Sequence, residues 1–194
     1  MKFIRPEGRT MRKLDYILQK WRYSVVEPFI PTGCDLLDIG GFDGSFLARI
    51  YQKLRSGVCI DPRLEEKRDG KITFVKARVD GLLPFPDESF DVITMLAVYE
   101  HLGEQRKLLT SESFRVCRKN GLALLTVPSG AVDTVLKILM KIRLIDGMSI
   151  EEHQHFNVSE TVSIFEEAGF QLKQRSRFQA GLNNFFVFQK AGMS

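Results

Sequence analysis

Apolar residues recur along this chain in two alternating rhythms. Short apolar runs, around Leu36-Leu37, Val58-Cys59-Ile60, Ile72–Val75, Phe90–Leu96 and Leu122 to Val127, alternate with stretches in which apolar residues return every three or four positions. The short runs predict buried strands and the longer period predicts amphipathic helices. A first helix is predicted over residues 10–27, with Leu14, Ile17, Leu18, Trp21 and Val25 on its inner face and Pro28 and Pro31 marking its end. After the strand holding Asp38 come a turn rich in glycine and a second helix over residues 45–54. Residues 107–119 read as a helix stopped at Asn120-Gly121, and residues 132–145 carry a further apolar helical run. Asn157 and Glu160 make a capping box for a late helix whose inner face is Val158, Val162, Phe165 and Ala168, closed by Gly169. Residues 171–178 and 184–189 form a hairpin around Gly181-Leu182-Asn183, so the last two strands are antiparallel. Strands alternating with helices imply an α/β fold, a mostly parallel sheet with helices on both faces.

Chemistry concentrates where the first strand ends. Asp38-Ile39-Gly40-Gly41-Phe42-Asp43-Gly44 brings a strand's carboxyl end to a helix's amino end, and its glycines permit backbone angles and close approaches that a Cβ blocks. Such a turn suits a nucleotide-like or carboxylate-bearing cofactor. Asp61, an acid at the tip of the next apolar run and followed by Pro62, lies at the spacing where a carboxylate meets the ribose hydroxyls of a bound nucleoside.

Composition sharpens this picture only a little. A chain of 194 residues with 44% hydrophobic and 27% charged residues fits one globular domain. The net charge of +4 is concentrated in residues 1–22, where Lys2, Arg5, Arg9, Arg12, Lys13, Lys20 and Arg22 face only Glu7 and Asp15. A solvated basic face is the commoner meaning of such a run. Cys34, Cys59 and Cys117 have no CxxC spacing and read as buried reduced thiols. No signal-peptide core and no membrane-length apolar run is present, so cytoplasmic residence is expected, with no membrane span.

Further runs complete a pattern. Leu36 to Gly44 and Val58-Cys59-Ile60-Asp61-Pro62 are followed by Leu83-Pro84-Phe85-Pro86-Asp87-Glu88-Ser89-Phe90-Asp91-Val92-Ile93 and by Tyr99-Glu100-His101-Leu102. Phe156-Asn157-Val158-Ser159-Glu160 then leads to Glu167-Ala168-Gly169-Phe170. As a set these resemble the class I S-adenosylmethionine-dependent methyltransferases, specifically the methyltransferase type 11 group. The resemblance runs from Cys34 to the C-terminus and implies a Rossmann-like seven-stranded sheet in the order 3-2-1-4-5-7-6, with strand 7 antiparallel. It implies one methyltransferase domain over 1–194, with residues 1–31 a helical arm or lid and 32–194 the catalytic core. The implied cofactor is S-adenosyl-L-methionine, with S-adenosyl-L-homocysteine as product. Asp38, Gly40, Gly41 and Gly44 would face its methionine part, Asp61 its ribose, and Pro62 with Val79-Asp80 its adenine, while the backbone at Leu96-Ala97 passes beneath the methionine. Phe42 stands where the family most often has its middle glycine, and Val79 stands where it has an adenine-binding aspartate, with Asp80 one residue later.

Methyl transfer needs alignment and exclusion of water more than it needs a catalytic side chain. His101 is the candidate general base near the end of the fourth strand, and Trp21, Tyr99, His153 and His155 are candidates for the substrate side. The His153/His155 pair has no third ligand in the sequence, so no metal is expected. Met95-Leu96-Ala97-Val98-Tyr99 is not an Asn/Asp-Pro-Pro-aromatic motif and no lysine-rich tetrad is evident, which disfavours nucleic acid. The expected substrate is a small molecule, a lipid precursor or a glycan intermediate, methylated directly in line by a monomer or homodimer. Two other readings stand beside it. One is a module that binds S-adenosylmethionine or S-adenosylhomocysteine with degenerate or lost catalysis. The other is a nicotinamide-dependent oxidoreductase, for which the full GxGxxG spacing is missing.

Overall fold

The computed structural model describes residues 13–78, 82–129 and 157–192. The apolar runs become β1 (Cys34–Ile39), β2 (Leu54–Ile60), β4 (Ile72–Val75), β5 (Phe90–Leu96) and β6 (Cys117–Pro128), all parallel. The terminal hairpin supplies β7 (Phe170–Phe178) and β8 (Asn183–Lys190), with β8 antiparallel to both β6 and β7. One short strand was not foreseen: β3 (Lys67–Asp69), antiparallel to β4 at the sheet edge. The full order is β3-β4-β2-β1-β5-β6-β8-β7, eight strands where seven were expected. Setting β3 aside leaves the expected order. Its three residues are all exposed, and charged side chains there suit an edge that must not pair with another chain.

The helices are α1 (Lys13–Val26), α2 (Ser45–Arg49), α3 (Arg106–Val116) and α4 (Val158–Glu167). Side chains alternate across the central strands, so both faces are buried. Leu37, Ile39, Ile93, Met95, Leu125 and Val127 pack with Leu109, Val116 and Phe165 on the α3 and α4 side. Leu36, Val92, Leu124 and Phe185 pack with Val26, Phe46 and Leu47 on the α1 and α2 side.

Two element boundaries differ from expectation, each for a local reason. The helix expected over residues 45–54 ends at Arg49 and passes through a 3-10 turn, Tyr51–Lys53, into β2. Pairing of Leu54 with Cys34 and donation of the Gly33 N–H to the Lys53 carbonyl at 2.7 Å recruit those residues to the sheet. Asn120-Gly121 does not stop a helix; it sits inside β6 as a bulge. Phe90 pairs with Cys117 and Val92 with Leu122, and the surplus residues are absorbed with Asn120 at φ 64°. The late helix is capped as expected at Asn157, whose side chain accepts the Ser159 N–H at 3.0 Å. The helical run at residues 132–145 lies outside the described residues.

Candidate cofactor site

The carboxyl ends of β1, β2 and β5 meet at one place. Asp38 on β1 pairs in register with Thr94 on β5, and Thr94 Oγ1 donates to Asp38 Oδ1 at 2.6 Å. The other carboxylate oxygen, Oδ2, is buried without a hydrogen-bond partner. Burial pushes the Asp38 acid up to about 7; the Thr94 bond works against this and the charges of Asp43 and Asp61 add to it. A Cβ on Gly41 would strike Asp38 Oδ2 and Cys59 Sγ, so the turn backbone passes directly over the carboxylate. Gly44, at φ 72°, turns the chain into α2 with the Phe74 ring where its Cβ would be.

Asp61, 2% exposed at the end of β2, accepts the Phe42 N–H on Oδ2 at 3.3 Å and the Arg63 N–H on Oδ1 at 2.9 Å. The Arg63 guanidinium also reaches Asp61, with Nε 3.2 Å from Oδ1, and lies 4.4 Å over the Phe42 ring. Phe42 therefore turns toward the tip of β2 and packs under Arg63. Its φ of 54° and that of Ala97, 58°, are left-handed conformations that cost a side-chain-bearing residue energy. Both lie just past the carboxyl ends of neighbouring central strands, β1 and β5. The Ala97 N–H donates to the Thr126 carbonyl at 3.0 Å, which turns the chain out of β5 beside Leu96.

α1 spans this edge, pinned at two points. Tyr23 Oη and Ser45 Oγ are 2.7 Å apart, and Gln179 Nε2 on the β7–β8 turn donates to the Leu18 carbonyl at 2.7 Å. Burial raises the Tyr23 phenol to about 12. The helix is rotated from the expected face. Ile17 and Trp21 are 55% and 46% exposed, while Gln19, Arg22 and Tyr23 lie inward, Gln19 Nε2 reaching Ser45 Oγ at 3.5 Å. Trp21 is thus turned away from the site. An inward polar face is what a helix over a polar site needs, and the apolar count alone pointed the other way.

The other candidates divide. Pro62 is exposed beside Asp61, and His101 is half-buried, its N–H donating to the Val98 carbonyl at 3.0 Å. Tyr99, expected on the substrate side, is a core residue. It is fully buried, its ring 5.6 Å from that of Phe165 and its hydroxyl 2.9 Å from Thr110 Oγ1, because the turn after β5 drives it between α3 and α4. Val79, Asp80, His153 and His155 lie outside the described residues. Thr94, Arg22, Glu100 and Gln179 were missed. For Arg22 a signal existed: it stands one turn from Gln19 and Val26 on the helix face that Tyr23 shares.

An orphaned acid under a glycine turn, a second acid at the tip of the neighbouring strand and this strand order define the class I S-adenosylmethionine-dependent methyltransferase fold, whose cofactor is S-adenosylmethionine. The residues fit that group, since Asp38 Oδ2 lacks the cationic partner that an amino-acid ammonium provides. Residues 10–175 match the family model described as "Methyltransferase domain", and the chain belongs to that family. It is 34% identical over 150 residues to a protein of Mycolicibacterium smegmatis named a probable S-adenosylmethionine-dependent methyltransferase, covering 71% of this chain. The chain spans 58% of that relative's length. Among solved structures, the Burkholderia thailandensis 1,6-didemethyltoxoflavin-N1-methyltransferase, with 1,6-didemethyltoxoflavin and S-adenosylhomocysteine bound, is similar at TM-score 0.66 and 17% identity, over 88% of this chain and 77% of that one. The cyclase SpnF is similar at TM-score 0.67 and 11% identity, over 88% and 80%. At such identities the likeness is one of fold, which hosts more than one chemistry. Among the described residues no helix is long and apolar enough to cross a membrane.

Proposed function

We propose that this chain is an S-adenosylmethionine-dependent methyltransferase acting on a small-molecule acceptor. The observation that carries the reading is Asp38 Oδ2, a buried acid oxygen with no partner beneath a turn that only glycine allows. In this reading the methionine ammonium satisfies Asp38, the backbone at Gly40, Gly41 and Gly44 lies along the methionine, and Leu96-Ala97 passes beneath it. Asp61 takes the ribose hydroxyls once Arg63 yields, with Pro62 and the segment at Val79-Asp80 toward the adenine. α1, within residues 1–31, serves as a lid on a core of residues 32–194. When bound, the cofactor supplies a methyl group on a positively charged sulfur. The protein's part is to orient the acceptor, to keep water out under α1 and to hold the acceptor's proton-bearing atom in place. The small-molecule assignment draws support from the absence of nucleobase and ribose methyltransferase motifs in the sequence and from the small substrate named for the Burkholderia thailandensis relative of the same fold.

A binding module without turnover is the second reading, favoured by Arg63 lying on Asp61 and by the strained Phe42. Calorimetry with S-adenosylhomocysteine, followed by release of product from S-adenosylmethionine across a panel of small acids, amines and phenols, separates the two. Cofactor binding with acceptor-dependent turnover supports the enzyme. Binding without turnover supports the module, and no heat at millimolar cofactor overturns both.

A further inference from the structure

We infer that the outer face of α1 is a docking surface for an anionic lipid bilayer, on which the helix lies flat without crossing. The inference goes beyond the methyltransferase reading and does not depend on it.

α1 is built the reverse of an ordinary surface helix. Its polar residues Gln19, Arg22 and Tyr23 lie inward, while Ile17 and Trp21, one turn apart, stand out in solvent. An exposed apolar residue on its own means nothing; these two share one helix face, with half-buried Leu14 and Val25 beside them, and so make a stripe. The orientation is fixed. Tyr23 Oη lies 2.7 Å from Ser45 Oγ and Gln179 Nε2 donates to the Leu18 carbonyl at 2.7 Å, so the stripe cannot roll inward without breaking both bonds.

Charge says what the stripe meets. The exposed side chains described on α1 are Ile17, Lys20, Trp21 and Ser24, and the helix's one acid, Asp15, is half-buried. Lys20 Nζ lies 4.3 Å from the centre of the Tyr16 ring, which sets a cation beside the exposed indole. Lys13 stands one turn before Ile17, and the sequence leading into α1 adds Lys2, Arg5, Arg9 and Arg12 against Glu7. A basic run alone means a solvated face. A basic run leading into an outward apolar stripe that holds a tryptophan is the composition of a helix lying at a headgroup layer, its apolar side chains at the acyl boundary and its cations on lipid phosphates.

Other occupants fit this face less well. A second copy would set the basic segment against itself. The chain's other apolar helical run, residues 132–145, carries Lys137, Lys141 and Arg143 against Asp133, and so has the same sign. An anionic bilayer supplies the opposite charge and an apolar layer beneath it. Among the described residues no helix is long and apolar enough to cross a membrane, so the contact is peripheral.

Trp21 is the chain's single tryptophan, so its emission reports on this face alone. The test titrates the full chain with vesicles of phosphatidylcholine, with and without about 30% phosphatidylglycerol, and follows both flotation and Trp21 emission. We expect the anionic vesicles to bind the chain, to shift the emission to shorter wavelength and, with brominated acyl chains, to quench it. Phosphatidylcholine alone should do none of this, and raising the salt from about 0.1 to about 0.5 M should weaken the binding. Ile17→Asp should weaken it about tenfold or more and Lys20→Gln about fivefold, one cation's share, with melting temperatures within about 2 °C of wild type certifying the fold. Absence of binding to the anionic vesicles overturns the inference. So does binding that leaves Trp21 emission unmoved or is indifferent to Ile17→Asp, since the basic run alone then holds the chain. A shift with polyglutamate but not with vesicles assigns the face to an acidic protein instead. Vesicle-free chain in which acrylamide cannot quench Trp21 assigns it to the chain's own residues if sedimentation shows a monomer, and to a second copy if it shows a dimer that Ile17→Asp dissociates; either overturns the bilayer.

Discussion

β1 carries an aspartate near each end, and the two are treated in opposite ways. At the amino end, Asp35 accepts Arg55 Nε at 2.9 Å, a second bond from Arg55 Nη2, and Ser56 Oγ at 2.8 Å. Arg118 bridges Asp35 and Asp91 at 3.0 and 2.8 Å, and the Asp35 N–H donates to Asp91 Oδ2 at 2.8 Å. The Arg55 bonds hold the Asp35 acid well below the usual carboxylate range. At the carboxyl end, Asp38 has one oxygen satisfied and one orphaned, and Glu100 and Arg22 nearby are buried without bonding each other. One end of the sheet is electrostatically closed; the other is held open. A buried charge without a partner is costly, and a fold retains it where a ligand supplies the partner.

The sharpest way to break this contrast is to fill the open end. Gly41→Val puts a side chain where Asp38 Oδ2 and Cys59 Sγ already lie, and Asp38→Ala removes the acid itself. Each should lower S-adenosylhomocysteine affinity about a hundredfold or more, roughly 2.7 kcal/mol, by calorimetry. At the closed end, Arg118→Met should leave that affinity within twofold. Its cost should appear in denaturant unfolding instead, at about 1 kcal/mol, a modest figure because the ion pairs are partly exposed. A loss of cofactor affinity in Arg118→Met as large as in Asp38→Ala would erase the distinction between the two ends.

The same contrast makes a prediction about pH. Asp38 titrates near 7 in the fold against an ordinary 3.8, and Glu100 near 7 against 4.5, so the folded state holds these protons where the unfolded chain has released them. Stability of the ligand-free protein is therefore greatest on the acid side of these two groups and falls as pH rises through the interval up to about 7, levelling off above it. Asp38→Asn should flatten part of that fall. Saturating S-adenosylhomocysteine should reduce it as well, because the ammonium favours the ionised acid, and cofactor affinity should rise over the same interval. Melting temperatures taken across the interval test this; a fall of equal slope in Asp38→Asn would sink it.

How legible these features were in the sequence depended on whether one residue or several elements set them. The alternation of strands with helices and the terminal hairpin followed from apolar rhythm, because a buried parallel strand leaves little freedom in what can occupy it, while the strand order came with the family resemblance. Asp38 and Asp61 drew attention in the sequence because an acid at the end of an apolar run has no packing role, and the structure buries both at strand ends. The rotation of α1 was not. Its Leu14, Ile17, Leu18, Trp21 and Val25 stripe is a good inner face for a helix on an apolar sheet, but the bonds from Tyr23 to Ser45 and from Gln179 to Leu18 turn the polar side inward. Neither bond is visible until residues far apart in the chain are brought together. Tyr99 failed likewise, since a left-handed Ala97 and the packing of α3 and α4 decide where an aromatic after β5 goes.

Among the described residues, Arg63 partly closes the open end, and it makes the smallest prediction. Its guanidinium lies on Asp61 and over Phe42, so in the proposed reading it competes with the ribose hydroxyls for Asp61. The side chain is 58% exposed, and an exposed ion pair of this kind is worth little, so a cofactor can displace it at small cost. Arg63→Met should therefore tighten S-adenosylhomocysteine binding by about two- to fivefold, under 1 kcal/mol, with the fold unchanged. Phe42→Gly in the same background should add a little more, since glycine relieves the φ of 54°. The opposite result is equally informative. A tenfold weakening in Arg63→Met would mean that the guanidinium moves onto the bound adenosine instead of vacating it, and that Phe42 and Arg63 act as a clasp on the cofactor.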